Sequence, residues 1–279
     1  MAKCPQPDQI VDLVEYPLFE PDSSAYWRVV QRARAQLEAT CAAEITGFLS
    51  TSGIKELLDD ATALAPRAHR SSGQATAYLE VPDFSLPEDH PRLTWGSYSL
   101  AAVSYDLMPR SSLLRQLYEW QPMTALIGAI LDRGPLYPYA DPFGALNLAV
   151  MADGDELQWH FDQTDFVVSL AIQPAVRGGA FEVAPRIRSS DDERYDAVAG
   201  VLRGDWDPVV TLPMTPGTLL IFEGRHSLHR VSPISGNTLR LVGLLAYDTK
   251  PGTMGSDVLR QSRYGRTVAF EDPPEVWPN

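Results

Sequence analysis

The sequence has little cysteine and a deficit of positive charge. Two cysteines, Cys4 and Cys41, cannot cross-link a chain of 279 residues, and their scarcity predicts a reducing compartment. Lys and Arg number 23 against 36 Asp and Glu, so the formal net charge is −13. A groove for phosphate backbones needs surplus basic residues, and an anionic membrane surface would repel this chain. The charge therefore argues against nucleic-acid and membrane partners and favours a small-molecule or protein partner.

Long apolar runs are missing as well. No stretch approaches the roughly 20 apolar residues of a membrane span, and the first residues lack the apolar segment of a secretory signal. These absences predict a cytoplasmic protein. Hydrophobic residues make up 44% of the chain and charged residues 21%, as in soluble globular proteins. The length predicts one large domain with an ample core.

Hydrophobic periodicity divides the chain into a helical half and a strand-rich half. Helical spacing predicts helices at 24–49, 54–64 and 113–131, the last interrupted near Pro122. Strands are predicted at 77–81 and 98–107. After residue 140, short β-branched and aromatic runs alternate with Gly, Pro and Asp, which predicts eight strands and one inserted helix at 191–202. These strands are predicted at 146–151, 157–162, 166–173, 180–184, 209–212, 218–223, 227–233 and 239–247.

This order of elements predicts a mostly β fold with flanking helices, whose core is a cupin-like double-stranded β-helix, or jelly roll. Residues 1–22 are proline-rich and predict an N-terminal arm laid over the body. Residues 23–279 are predicted to form a single domain. Within it, 23–135 are mainly helical support, 140–250 are the jelly-roll core with the site, and 251–279 are a C-terminal tail.

Residues 158–162 (QWHFD) and 225–233 (RHSLHRVSP) contain side chains with the spacing of metal ligands. His160 and Asp162 are two apart, so on a strand both side chains leave the same face. A third ligand must come from a distant strand. His226 and His229 are three apart, so only one of them can join.

The residues that follow favour His229 over His226. If residues 234–237 form the turn of a hairpin, Arg240 becomes the diagonal neighbour of His229 on the same face, roughly 7 Å away between Cα atoms. Arg240 is flanked by apolar residues, and a buried guanidinium needs an anion. It can bind the far carboxylate of a short diacid whose near end chelates the metal. His226 has no such companion.

Two imidazoles and one carboxylate on one face of an octahedron leave three positions open. That arrangement suits non-haem Fe(II), which needs room for a chelating cosubstrate and for dioxygen. A structural zinc site would fill its positions with protein ligands, commonly including Cys, and neither cysteine lies near these residues in the sequence.

The residues His160-x-Asp162, His229, Gly236 and Arg240 resemble the signature of the Fe(II)/2-oxoglutarate-dependent oxygenases. More narrowly, residues 159–162 (WHFD), 178–182 (GGAFE) and 224–231 (GRHSLHRV) resemble the branch that contains the free-amino-acid halogenases and their hydroxylase relatives. The resemblance covers about residues 140–250 and extends more loosely to residues 105–107 and 264–266.

The resemblance implies that His160, Asp162 and His229 hold Fe(II) and that Arg240 anchors 2-oxoglutarate. Dioxygen is the second cosubstrate, and ascorbate is a candidate stimulant. Asn147 is a polar residue in an apolar strand and must find hydrogen bonds, with either the bound diacid or substrate or a neighbouring backbone. The candidate substrate contacts are Gln158, Asp165, Arg225, Tyr264 and Arg266, of which Gln158 and Arg225 share strand faces with the two ligand histidines.

The expected reaction is hydroxylation of an unactivated C–H bond of a free amino acid or similar small polar metabolite, with release of succinate and CO2. Halogenases of this branch have Gly where the carboxylate ligand would be, which opens a site for chloride, whereas this chain keeps Asp162. Three alternatives remain: a cupin-like metal- and ligand-binding protein without oxygen chemistry, a halogenase, and an oxygenase that modifies protein or nucleic acid. The sequence leaves a homodimer open.

Overall fold

The computed structural model describes residues 6–271, and within them helices occupy most of the N-terminal half. Ser23 caps the longest helix by accepting a hydrogen bond from the backbone of Tyr26, and Ser50 caps the next by accepting one from Gly53. The helices are α1 (Pro7–Ile10), α2 (Ser24–Thr40), α3 (Thr51–Leu64), α4 (Leu113–Glu119), α5 (Gln121–Leu131), α6 (Tyr195–Leu202) and α7 (Asp257–Tyr264). No helix in residues 6–271 has both the length and the apolar character needed to cross a bilayer.

The strands come from both halves of the chain. They are β1 (Ala42–Ile45), β2 (His69–Thr76), β3 (Trp95–Ser104), β4 (Tyr137–Pro138), β5 (Leu146–Met151), β6 (Glu156–His160), β7 (Val167–Gln173), β8 (Phe181–Ala184), β9 (Val210–Leu212), β10 (Leu219–Phe222), β11 (Leu228–Val231), β12 (Arg240–Leu245) and β13 (Tyr247–Asp248). The eight strands predicted after residue 140 are thus confirmed, with ends that differ by a few residues.

One antiparallel sheet contains eleven of the described strands and curls on itself. Its order is β1-β10-β7-β12-β5-β3-β6-β11-β8-β9, with β2 paired to β3. β3 joins the two halves of the sheet, because Tyr98 and Ser99 pair with β6 whereas Ala101 to Ser104 pair with β5. The predicted jelly roll with flanking helices is confirmed. The sheet is not confined to residues 140–250, since β1, β2 and β3 come from the predicted helical support.

Alternating residues give the sheet an outer and an inner face. On β5, Leu146, Leu148 and Val150 pack outward with the helices in the main core, which also buries Ile10 and Tyr16 of the N-terminal arm. The intervening residues Asn147, Ala149 and Met151 belong to the opposite, inner face. The helices therefore support one face of the sheet and leave the other free to build a site.

Two predicted elements differ from the structure. The helix predicted over 24–49 ends at Thr40, because Cys41 adopts a left-handed conformation (φ 60°) and the following residues pair with β10. Residues 77–81 do not form the predicted strand. The strand lies before them, because residues 69–76 form β2, which pairs along its whole length with β3 and ends at Thr76.

The predicted hairpin between His229 and Arg240 is also wrong. β11 pairs with β6 and β8, whereas β12 pairs with β5 and β7, so the two strands lie in different halves of the curled sheet. The connecting segment bonds elsewhere: Ile234 exchanges backbone hydrogen bonds with the 154–155 loop, and the amide of Ser235 donates to the carbonyl of Arg177. These contacts fix the segment that connects β11 to β12 at the end of the curled sheet.

Candidate functional site

The three predicted metal ligands meet at the inner face of the sheet. His160 is the last residue of β6 and lies directly opposite His229 on β11. Asp162 follows just beyond the strand, where its amide donates to the carbonyl of Gly224 at 3.1 Å. One ligand atom from each of the three side chains lies within 4.8 Å of the others. His226 is not in this group.

Backbone hydrogen bonds orient both imidazoles. Nδ1 of His160 lies 2.7 Å from the carbonyl oxygen of Gln158, and Nδ1 of His229 lies 2.9 Å from that of Ser227. A carbonyl only accepts, so both Nδ1 atoms carry a proton, and Nε2 is the ring nitrogen that each histidine presents to a metal. Nε2 of His229 is 3.4 Å from Oδ2 of Asp162.

Charge within the cluster favours a cation. Burial and the neighbouring His229 lower the pKa of His160 to about 4, which keeps it neutral and able to coordinate. Burial alone would raise the pKa of Asp162, but His229 holds that pKa below its ordinary value. Burial alone would lower the pKa of His229, but Asp162 raises it, so this pair holds a proton that a divalent metal would displace.

Glycine at position 224 makes room for the Asp162 carboxylate. A Cβ added to Gly224 would lie 1.8 Å from Oδ2 of Asp162 and 2.6 Å from its Cγ. Because real Cβ contacts essentially never fall under 3.0 Å, no larger residue fits while Asp162 keeps this position.

Two histidine nitrogens and one carboxylate, whose ligand atoms all lie within 4.8 Å of one another, are the donor set that non-haem Fe(II) uses. The described residues provide no fourth His, Cys, Asp or Glu ligand in this group. The donor set thus fits Fe(II) with open positions better than a closed structural zinc site.

A cavity of about 550 Å³ opens beside His160 and Asp162. This volume lies in the range of small-molecule sites. Its wall includes three other residues predicted for the site, Asn147, Gln158 and Tyr264. Oδ1 of Asn147 is buried without a hydrogen-bond partner in the described structure. Burial raises the pKa of Tyr264 to about 12, so this phenol is a neutral donor at the cavity wall.

Arg240 lies on the inner face of the same barrel but does not line this cavity. Its Nε donates to the carbonyl oxygen of Gly179 at 3.0 Å, and its Nη1 contacts the sulfur of Met151 at 3.8 Å. Within residues 6–271 no carboxylate pairs with it, and burial alone lowers its pKa to about 10. Phe181, two residues after Gly179, packs on the His229 ring at 5.6 Å between centroids. A buried guanidinium without a carboxylate partner is suited to bind an anion.

The structure places the other three predicted site residues in protein contacts outside the cavity wall. Nε of Arg225 donates to Asp165 at 2.6 Å, and both side chains are about half exposed. Arg266 makes a bidentate pair with Asp106, at 2.6 and 2.7 Å, and Asp106 is buried. Their charges are therefore already matched by the protein.

Sequence reasoning missed two arginines of α7, Arg260 and Arg263, which line the cavity with Asp141. The available signal was their spacing: residues three apart on a helix share a face, and Ser256 is a recognisable cap for this helix. Asp141 lies in the turn-rich segment before β5, where the sequence gives no indication of its partner.

Comparison with known proteins points in the same direction. The sequence family described as Halogenase D matches residues 95–257, more than half of the chain. No curated protein sequence matches significantly.

Several solved structures share the fold. The epimerase SnoN, in complex with Fe3+, alpha ketoglutarate and nogalamycin RO, is 16% identical with a TM-score of 0.55, covering 90% of this chain and 97% of that one. A prolyl hydroxylase from Trichoplax adhaerens, bound to a hypoxia inducible factor peptide, is 17% identical with a TM-score of 0.52, covering 79% and 89%. A 2OG-Fe(II) oxygenase family protein from Burkholderia pseudomallei is 15% identical with a TM-score of 0.51, covering 80% and 92%. At these identities the likeness shows a common fold.

Proposed function

The chain belongs to the Halogenase D family, and on that basis and the geometry of its site we propose that it is an Fe(II)- and 2-oxoglutarate-dependent hydroxylase. Its substrate is a free amino acid or a similar small polar metabolite. The observation that carries the proposal is the convergence of His160, Asp162 and His229 on one point beside a cavity. A divalent cation there has three protein ligands and room for others.

The residues of this chain have distinct tasks in that reaction. The two histidines and Asp162 hold Fe(II), which with 2-oxoglutarate and dioxygen supplies the oxidising power for an unactivated C–H bond, releasing succinate and CO2. Arg240 binds the far carboxylate of 2-oxoglutarate, because it is a buried cation without a carboxylate partner in the described chain. Asn147 contributes a polar contact at the cavity wall. The cavity holds the substrate carbon close to the metal and excludes water.

A halogenase is the second candidate, favoured by the family's description. Two features of this site oppose it. Asp162 takes the position that chloride would need, and the missing side chain of Gly224 leaves room for that carboxylate. A hydroxylase needs no such vacancy.

The test is anaerobic reconstitution with Fe(II), followed by oxygen, 2-oxoglutarate and a panel of free amino acids with and without chloride. We expect succinate release coupled to a product that is heavier by one oxygen and independent of chloride. A chlorinated product would establish the halogenase instead. Iron binding without 2-oxoglutarate binding or turnover would leave the cupin-like binding protein as the better description.

The ligand assignment has its own test in a pair of variants. His229→Ala is expected to abolish iron binding, whereas His226→Ala retains it, because only His229 lies opposite His160. The reverse result would contradict the assignment. Gel filtration with light scattering of the same proteins tests the homodimer, which stays a prediction.

A further inference from the structure

Two arginines of α7 line the cavity, and both lie outside the residues that the family match covers. Arg260 and Arg263 are one helical turn apart, and both line the cavity together with His160. They lie beyond residue 257, where the match to Halogenase D ends. They are therefore features of this chain that the family assignment does not explain.

Arg260 is held rigidly and still has an unused donor. Its Nε donates to Asp141 at 3.1 Å and its Nη1 to Asp257 at 2.9 Å. Nη2 is buried without a hydrogen-bond partner in the described structure, and the whole residue is only 9% exposed. A buried charged donor without an acceptor is costly, so an acceptor from a ligand would stabilise it.

The Asp141 carboxylate cannot meet that need, because its oxygens are shared among other donors. It accepts hydrogen bonds from the backbone amides of Phe143 and Gly255, each at 3.1 Å. It is 3% exposed, so water adds nothing to the arrangement. Asp141 thus fixes the Arg260 guanidinium and leaves Nη2 for another partner.

Arg263 is a second cation at this wall. In residues 6–271 no carboxylate lies within ion-pair distance of it. It lines the same cavity as His160 and Asp162. Arg263 therefore offers a guanidinium to whatever occupies the cavity.

Of the charged side chains around the cavity, one cation has no anionic partner. Its wall contains two carboxylates, of which Asp162 faces the metal position and Asp141 pairs with Arg260. Arg263 is not matched by either. A neutral or cationic ligand would leave this guanidinium unpaired in a partly desolvated site, whereas an anionic ligand would balance it.

The remaining wall is largely apolar. It includes Ala75, Leu79, Leu157, Trp159 and Leu259. The cavity therefore suits a ligand with a charged end and an apolar body.

We propose that Arg263, together with Nη2 of Arg260, binds the carboxylate of a free-acid substrate whose apolar body contacts the apolar residues of the cavity wall. This inference rests on the proposed function and deepens it, because it assigns recognition of the substrate carboxylate to two arginines of α7. A planar guanidinium pairs with a carboxylate through two hydrogen bonds, and an amide loses both the charge and one acceptor.

The test compares acids with their amides. Isothermal titration calorimetry measures binding of L-leucine, L-methionine and L-phenylalanine and of the three matching amides to the anaerobic Fe(II)- and 2-oxoglutarate-loaded protein. We expect at least one acid to bind, and its amide to bind roughly 10- to 100-fold more weakly, since one charge-assisted contact is lost. Arg263→Gln should weaken the acid by a similar factor and leave the amide unchanged, and Arg263→Lys should restore part of the loss.

Two controls keep the result specific. Arg203→Gln removes the same charge at an exposed position at the end of α6 and should change no affinity. Because 2-oxoglutarate is itself a diacid, its affinity for Arg263→Gln is measured separately and should be retained.

Equal binding of acid and amide, no effect of Arg263→Gln, binding of none of the acids, or a loss of 2-oxoglutarate affinity in place of acid affinity would each overturn the inference. The titration is repeated on metal-free protein, where discrimination between acid and amide is expected to persist. Failure of the proposed function would appear instead as absent 2-oxoglutarate binding and absent succinate release, with this discrimination intact.

Discussion

Replacing Gly224 by alanine should dislodge a metal ligand without touching any ligand residue. The new Cβ would lie 1.8 Å from Oδ2 of Asp162, whereas real Cβ contacts start at 3.0 Å, so the carboxylate must retreat by about 1.2 Å. Metal–oxygen bonds tolerate about 0.2 Å, and the bond would therefore break. Loss of an outer-shell partner already costs 10- to 100-fold in metal affinity, so loss of the ligand itself should cost at least about 100-fold, or about 2.8 kcal/mol.

Anaerobic titration of Fe(II) into wild-type and Gly224→Ala proteins measures this loss. Gly200→Ala is the matched control, because the same methyl group in helix α6 meets its nearest neighbour, Asp205, at an ordinary 3.5 Å. It should leave iron affinity unchanged. In an Asp162→Gly background the clash disappears, so Gly224→Ala should have no further effect on metal binding. Unchanged iron affinity in Gly224→Ala, or equal losses in both backgrounds, would refute the steric argument.

Three further predictions follow from buried charges. Arg240→Met should lower 2-oxoglutarate affinity at least about 10-fold in a calorimetric titration, yet leave the metal-free protein as stable or more stable, because a lone buried cation is removed. Asp106→Asn should cost about 3 kcal/mol in urea unfolding, since it breaks the bidentate pair with Arg266 at a buried carboxylate. Burial would raise the pKa of Asp155, but Arg70 holds it below the ordinary 3.8, so its stabilisation is complete above that pH and is lost as the pH falls through the lower folded value. Asp155→Asn should accordingly flatten the acid limb of a stability–pH curve.

Each of these has a contrary outcome that is easy to recognise. Normal 2-oxoglutarate binding by Arg240→Met would remove that residue from the cosubstrate site. Asp165→Asn, at a half-exposed ion pair, should cost no more than about 1 kcal/mol, and a loss as large as that of Asp106→Asn would mean that burial does not decide these energies. An unchanged acid limb in Asp155→Asn would place the acid sensitivity elsewhere.

The grouping of the candidate metal ligands could be predicted from sequence because it depends in part on local geometry. A spacing of two residues on a strand places the side chains of His160 and Asp162 on the same face, whatever the rest of the fold is. The sequence favours His229 over His226 through a β11–β12 hairpin that the structure does not contain. The choice agrees with the structure because His229 pairs with His160 through β6, a partner that the adjacent sequence does not indicate.

Long-range partners were beyond reach. Arg266 is a plausible substrate contact in the sequence, yet it pairs with Asp106, 160 residues away. Charge type alone cannot distinguish a side chain matched by the protein from one left for a ligand. Arg263 has no ion-pair partner in the described structure. Its neighbours in the sequence nevertheless resemble an ordinary solvated helix. Strand order also depends on partners that are distant in the sequence, and it could not be predicted because consecutive strands are often but not always neighbours in a sheet.

The position of β3 sets limits on how this protein can be divided and recombined. The strand starts at Trp95, where the family match also starts, and it is the only described strand that pairs with both β5 and β6. A transplanted fragment of residues 140–250 would lack this seam and separate into two half-sheets with open edges. The unit that can be exchanged between relatives therefore begins at β3. If Arg263 binds the substrate as proposed, replacing α7 alters the choice of substrate and leaves His160, Asp162 and His229 in place.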